Sequence, residues 1–374
     1  MVTVLFSVLP GHGHVNPLRP LVDALIKAGC EVRLASSRPY VEILRRSGYS
    51  TLDFGLEWTL AEDFRRIRER YPTGTTRECW SQIFSDRSAE LLTAMIKANL
   101  VTQPDVVIHD DHDFAAALYG ERVGSYRVCV ATTFRSPIET QWARWHQLWS
   151  SLRIQAELLP DPGMGAFWGD VCIDTLPPSF QPNPRSSRRP QDLFMNPILS
   201  GVTSELPRTE VRPLGVRRKV GITFGTVYAR FSPRLHKAEA ALVNEGFSVA
   251  RLNNADGSAL PLAIYLDWLR DQDVVVCHGG RSTVLDCLAL GIPVVCRPMG
   301  ADQSYNSFRV ASLGAGIDIG QMSDVESATV EAVRQICTDD LYVRNAWRLS
   351  HEMRAMPSAD ECATEILRAR DRIA

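Results

Sequence analysis

Val274-Val275-Val276-Cys277-His278-Gly279-Gly280-Arg281-Ser282-Thr283 reads as a buried strand that breaks into a two-glycine turn and restarts as a helix. A short run of β-branched apolar residues suits a strand covered on both faces, and the glycines mark its end. Helical spacing then runs over Thr283–Leu290. Strand, turn and helix in that order are the building unit of a parallel α/β sheet. The unit recurs on both sides. Downstream, Ile292–Arg297 and Gly316–Ile319 read as strands, with a helix over Asn306–Leu313. Upstream, Lys219–Phe224 leads through Gly225-Thr226-Val227 into a helix over Ser232–Glu245 and a strand over Phe247–Leu252.

The first half of the chain has the same rhythm. Val2–Leu9 is a strand, Pro10-Gly11-His12-Gly13-His14 a turn, and Leu18, Leu21, Val22 and Leu25 fall at helical spacing until Gly29 stops them. Glu31–Ser36 is the next strand, which completes a βαβ unit. Asp105–His109 and Ser125–Ala131 are further strands around a helix over Phe114–Val123. A helical segment between Thr132 and Pro160 carries Trp142, Trp145 and Trp149 on one face. That stripe has two readings, a core face or an aromatic wall for a flat hydrophobic ligand. Prolines crowd Leu159–Pro213, which reads as loops and a connection between domains. The tail, Asp324–Asp339 and Leu341–Ile373, is helical with a break at Pro357.

These patterns predict two Rossmann-like, doubly wound α/β domains facing across a cleft. The expected division is 1–205, a linker over 206–217, a second domain over 218–355, and a last segment over 356–374. At 374 residues, 45% hydrophobic and 22% charged, the chain has the composition of a globular protein and excludes collagen, coiled coil and disorder. Its 41 basic and 43 acidic side chains leave a net charge of -2, which speaks against broad nucleic-acid binding. Nine cysteines without a CxxC pair point to reduced thiols rather than a disulfide framework or a structural zinc. No run approaches the roughly 20 apolar residues of a membrane span, so a cytoplasmic location is expected. Oligomeric state is not legible.

In open α/β sheets, ligands meet the carboxyl ends of the strands, so the loops that follow strands carry the chemistry. His278–Thr283 offers close backbone approach, a positive helix end and two hydroxyls. It reads as a phosphate cradle or as a plain turn with Ser282 and Thr283 as caps. Pro298–Asn306 carries the adjacent pair Asp302 and Gln303, which suits vicinal sugar hydroxyls or helix capping. In the first turn, His12 or His14 can act as a general base if a carboxylate fixes its tautomer. Asp110, first out of its strand, is the candidate partner. Asp111 and Asp113 with His109 and His112 also admit a metal-ligand reading.

Gly11–Pro17, Asp105–Asp110, His278–Thr283 and Pro298–Asn306, in this order, resemble nucleotide-sugar-dependent glycosyltransferases of the GT-B fold. The likeness is to the actinobacterial subgroup that decorates polyketides and other antibiotic aglycones. The resemblance implies an inverting, metal-independent transferase in which His14 is the base and Asp110 orients it. It implies that Thr226, His278, Gly279, Gly280, Ser282 and Thr283 hold the diphosphate and that Asp302 and Gln303 bind the sugar. Trp142, Trp145 and Trp149 are then candidates for the acceptor. The implied substrates are a dTDP- or UDP-linked sugar, a deoxyhexose by the habit of the subgroup, and a hydrophobic aglycone, with no further cofactor. The last helix, near Asp360–Ile373, is expected to cross back onto the first domain.

Two positions depart from that pattern. Arg281 and Ser282 stand where the family has a small residue and a glycine, and no Trp-x-Pro-Gln type segment is present in Arg251–Asp273. Pro261 and Leu262 are weak candidates for contact with the nucleobase. Alternatives from other classes are a nucleotide-sugar epimerase and a non-catalytic partner that activates a transferase. A dinucleotide oxidoreductase is disfavoured, because the first turn holds histidines in place of GxGxxG glycines.

Overall fold

The computed structural model describes residues 1–71, 76–98, 103–132, 138–181, 191–197, 218–225, 235–252 and 262–372. The linker expected over 206–217 lies outside the described residues, as do Thr226 and Pro261. The side chains of Trp142 and Leu262 lie outside them too.

The chain divides into two compact units, Met1–Asn196 with Pro357–Ala374, and Pro197–Met356. The first contains β1 (Thr3–Ser7), the short helical turn α1 (His12–Val15), α2 (Arg19–Lys27), β2 (Glu31–Ser36), α3 (Arg38–Arg46) and β3 (Thr51–Asp53). There follow α4 (Leu60–Arg70), α5 (Thr76–Ala98), β4 (Val106–Asp110), α6 (Phe114–Val123), β5 (Tyr126–Ala131) and α7 (Ile138–Gln155). β6 (Val171–Asp174) and β7 (Leu193–Phe194) close the sheet. All strands are parallel in the order β3-β2-β1-β4-β5-β6-β7. Leu159–Pro213 is therefore not loop alone. Val171, Cys172 and Ile173 are too few to stand out among the prolines, yet they pair with Val128, Cys129 and Val130 and are buried.

The second unit contains β8 (Lys219–Thr223), α8 (Leu235–Asn244), β9 (Ser248–Arg251), α9 (Leu262–Arg270), β10 (Val274–Cys277), α10 (Arg281–Ala289) and β11 (Val294–Cys296). α11 (Gln303–Ser312), β12 (Gly316–Asp318), α12 (Val325–Thr338) and α13 (Leu341–Ala355) complete it. Its sheet is also parallel, in the order β12-β11-β10-β8-β9. A last helix, α14 (Ala359–Asp371), belongs to the first unit.

α14 is held there by burial and by charge. A capping box opens it, with Ser358 and Glu361 each satisfying the other's backbone amide. Cys362, Ala363 and Ile366 enter the same core as Phe6, Leu21 and Leu25. Lys27 bonds Asp360 at 2.6 Å and Arg370 bonds Asp105 at 2.5 Å, at opposite ends of the helix.

The central strands of both sheets, β4 and β10 above all, are buried on both faces, which explains their continuous apolar runs. In each, strand order reverses at one place: between β1 and β4 in the first unit and between β8 and β10 in the second. At such a reversal the flanking helices diverge to opposite faces and leave a crevice at the carboxyl ends, where ligands of open α/β sheets sit. The residues after β1, β4, β8 and β10 are therefore those placed for chemistry.

Candidate functional site

In the first unit that crevice brings a histidine to a carboxylate. Gly11 is extended at φ −157°, and the chain turns into α1 through bonds from His14 N and Val15 N to the Gly11 carbonyl. A side chain on Gly11 would meet Leu60 Cδ1 at 2.8 Å, so glycine lets α4 close over the turn. Of the two histidines, His12 packs on Tyr40 with ring centroids 5.3 Å apart. Burial and the Arg19 charge lower its pKa. His14 instead places Nδ1 3.1 Å from Oδ2 of Asp110.

Asp110 is the last residue of β4 and is fully buried. Its other oxygen, Oδ1, accepts the His112 backbone N–H at 2.7 Å. A carboxylate with both oxygens fixed holds the imidazole in one tautomer, Nδ1–H toward Asp110, and leaves Nε2 as the basic atom. The His14 side chain is 19% exposed, unlike the buried carboxylate that holds it.

The other polar residues after β4 are anchored locally. Asp113 caps α6 by accepting the Ala116 N–H and also accepts the Ser7 hydroxyl at 2.5 Å. Burial first, then the Asp110 charge, push its pKa up to about 6. His109 is fully buried, bonds the Asp110 carbonyl through Nδ1, and burial lowers its pKa. The set weighed as metal ligands is thus not brought together as a whole, since His109 and Asp113 are bonded elsewhere. Asp110, Asp111 and His112 do approach, with one donor atom each within 4.8 Å of the others.

Trp145 and Trp149 are 3% and 1% exposed and pack against Phe114. As they stand they are core residues, the first of the two readings of the stripe. The aromatic face nearest His14 is a different one. Phe84 of α5 packs on His112 with centroids 4.9 Å apart and planes tilted by 32°, and the row continues, stacked, to Trp80 and Phe64. The α4 and α5 segments that supply it carry no glycine turn or strand signal, and the sequence gives little hint of them.

In the second unit the crevice holds the glycine turn. β10 ends at Cys277, whose sulfur accepts the Gly279 N–H at 3.4 Å. Gly279 has φ +80°, a conformation for which a side chain pays in strain, and a Cβ there would meet Ser307 Oγ at 2.6 Å. The His278 ring lies between two glycines: a Cβ on Gly225 would stand 2.9 Å from its Cε1, and one on Gly280 2.4 Å from its Nε2. Burial lowers the His278 pKa to about 4, so the imidazole is neutral at pH 7.

α10 starts two residues earlier than its spacing suggested, at Arg281. Its N-cap is Gly280, with no side-chain cap hydrogen bond. Ser282 and Thr283 are therefore not caps but members of the first turn. A helix start of this kind favours an anion, through its first-turn N–H groups and its dipole. Arg281 is 7% exposed and its charge acts on Asp286, which burial nonetheless raises to about 7. Tyr265 donates its hydroxyl to Asp286 at 2.9 Å.

The Asp302-Gln303 pair starts α11 beside that turn. Ala301 has φ +54°, a strained backbone for a residue with a side chain, of the kind found where a loop is held for a purpose. Gln303 Oε1 accepts from Met299 N at 2.7 Å and Gly300 N at 3.0 Å, which fixes the loop. Asn306 donates to Asp302 Oδ2 and to the Gly279 carbonyl, tying loop and turn together. Asn306 was missed in the sequence. Its position one turn past Asp302 is the signal that could have found it.

No described helix is long and apolar enough to cross a membrane. Residues 256–368 match the family described as "Erythromycin biosynthesis protein CIII-like, C-terminal domain". NDP-glycosyltransferase YjiC of Bacillus licheniformis is 21% identical over 383 residues, covering 96% of this chain and 95% of that protein. The 4'-demethylrebeccamycin synthase of Lentzea aerocolonigenes is 25% identical over 407 residues, covering 94% and 96%. Among solved structures, the spinosyn rhamnosyltransferase SpnG complexed with thymidine diphosphate superposes with a TM-score of 0.72 at 21% identity, covering 99% of this chain and 100% of that one. The C-terminal match, the full-length likeness and the two parallel sheets together show the GT-B fold and make the chain similar, over nearly its whole length, to nucleotide-sugar-dependent glycosyltransferases of the natural-product type.

Proposed function

We propose that the protein is an inverting glycosyltransferase that moves a sugar from a nucleoside diphosphate to a hydroxyl of a hydrophobic aglycone. The observation that carries this reading is the His14–Asp110 pair at the strand-order reversal of the first unit. His14 Nε2 takes the proton of the acceptor hydroxyl while Asp110 stabilises the imidazolium that forms. The oxygen attacks the anomeric carbon, the bond from that carbon to the diphosphate breaks, and configuration inverts because attack and departure are on opposite faces.

The leaving group gathers negative charge. The uncapped first turn of α10, with the Ser282 and Thr283 hydroxyls and neutral His278, supplies donors where that charge develops, so no metal is required. Asp302 and the Gln303 amide hold the sugar hydroxyls. A dTDP-linked donor is favoured, since the similar SpnG is solved with thymidine diphosphate, and a deoxyhexose is the sugar in this reading.

The test begins with thermal unfolding in dTDP, UDP, GDP and NAD. A ligand at a hundred times its dissociation constant adds about 2.7 kcal/mol, which is readily seen. Stabilisation by dTDP or UDP alone supports the donor site; stabilisation by NAD alone overturns the reading. The His14→Ala variant should then keep the dTDP shift and lose transfer, in buffer with chelator as well as without. Undiminished transfer removes His14 from the base role. The anomeric coupling constant of the product reports inversion.

A further inference from the structure

His14 is not the one histidine that a carboxylate holds at the end of β4. His112 places Nδ1 3.3 Å from Asp111 Oδ1. Asp111 is fixed in its turn, since Oδ1 accepts from Thr132 N at 3.0 Å and from the Thr132 hydroxyl at 2.8 Å. Two histidine–carboxylate pairs therefore stand side by side. Their rings are 6.0 Å apart between centroids and cross at 83°. Both carboxylates are buried, at 0% and 1% side-chain exposure, while the His14 and His112 side chains are 19% and 16% exposed. An ionised carboxylate only accepts, so Nδ1 bears the proton in each pair and each Nε2 offers a lone pair.

One hydroxyl carries a single proton and can donate to only one of the two rings. Two hydroxyls on adjacent carbons can serve both, each donating across an ordinary hydrogen-bond length of about 2.8 Å. The wall beside His112 is aromatic. Phe84 packs on it with ring centroids 4.9 Å apart and planes tilted by 32°, and itself meets Trp80 and Trp145. We propose that His112, held by Asp111, is a specificity-determining partner of His14 and selects an acceptor with two hydroxyls on neighbouring carbons of an aromatic ring. This rests on the reading of His14 as the base. One hydroxyl gives its proton to His14 as its oxygen bonds to the anomeric carbon, and the diphosphate leaves with the electron pair of the broken bond. The neighbouring hydroxyl keeps its proton, donates to His112, and fixes which oxygen reacts.

Binding tests this without any transfer. The probes are 2,3-dihydroxynaphthalene and its monomethyl ether, 3-methoxy-2-naphthol, followed by their fluorescence on titration with the whole protein. The wild type should bind the diol at least about tenfold tighter, because the ether cannot donate to His112. His112→Phe keeps an aromatic ring against Phe84 and should abolish the preference, whereas His112→Gln, whose carbonyl accepts, should keep most of it. In the wild type, nitrogen NMR of the histidines should show the His112 Nε2 resonance shifting with the diol and not with the ether, which needs no variant. Equal affinities, no binding of either probe, or a preference that survives in His112→Phe overturns the inference. Transfer from dTDP-glucose or UDP-glucose to the diol is a separate arm. A diol preference with no transfer upholds the two-histidine recognition and counts against the glycosyltransferase reading.

Discussion

A β-carbon on Gly280 would stand 2.4 Å from Nε2 of His278, so the glycine is what lets the imidazole lie across the start of α10. Gly280→Ala must push the ring aside or shift the backbone that would face the diphosphate. The expected result is a loss of about tenfold or more in dTDP affinity, measured calorimetrically, with the fold retained by circular dichroism. Unchanged affinity means that the His278 position does not matter to the ligand.

Gln303 offers a finer test of the same region. Its carbonyl holds the Met299 and Gly300 amides, and its NH₂ binds the sugar in the proposed complex. Gln303→Ala should weaken binding of dTDP-glucose about tenfold and leave that of dTDP within about twofold, a split expected when only the sugar subsite is loosened. Parallel losses for both ligands would move Gln303 from the sugar to the diphosphate.

Asp110→Asn keeps the shape of the residue and removes the charge that stabilises an imidazolium. Turnover should fall by about 10² to 10⁴, the usual worth of positioned general base catalysis, with dTDP affinity unchanged. Steady-state kinetics beside a dTDP titration separates the two. A rate within threefold of the wild type would show that His14 needs no charged partner.

Asp113 gives a pH signature. Its pKa is 3.8 in the unfolded chain and about 6 when buried, so between those values the folded state binds the extra proton. Its contribution to stability therefore falls as pH rises through that window and is constant above it. Asp113→Asn removes this dependence. Relative to the wild type, the variant should gain on the order of 2 to 3 kcal/mol between pH 4 and pH 7, read from denaturant unfolding across that range. A stability difference that does not change with pH defeats the expectation. His278 works in the opposite sense. The unfolded chain binds its proton first, between 6.5 and about 4, so this group loses stability as pH falls.

What the sequence made legible was the part built from short-range signals. Glycines after apolar runs located the turns behind β1 and β10, and Pro357 separated α13 from α14. Those signals are local, because a strand buried on two faces has to be apolar and a tight turn such as that at Gly279, with its positive φ, favours glycine. The edge of the first sheet was not legible. β6 and β7 have four and two residues, and their pairing with β5 is a long-range fact that no local pattern announces.

The same division runs through the candidate site. The His14–Asp110 approach could be anticipated from two strand ends, since β1 and β4 are neighbours and their carboxyl ends meet. The pairing of His112 with Asp111 could not. Adjacent residues leaving a strand ordinarily diverge, and the Thr132 contacts, made across to the end of β5, help to hold Asp111 where His112 can reach it. Gly280 as the N-cap was also hidden. Ser282 and Thr283 are good capping types, and it is the close fit of His278 that puts glycine at the cap instead.

α14 has one more consequence, for the order in which the chain is made. Cys362, Ala363 and Ile366 complete a core whose other members include Val4, Leu21 and Leu34. A ribosome therefore delivers the whole of Pro197–Met356 before the first unit receives its last piece. The half of the protein that is synthesised first therefore cannot complete its core until the other half has been made, and a chain truncated after Met356 leaves that apolar surface uncovered for a chaperone or another nascent chain to find.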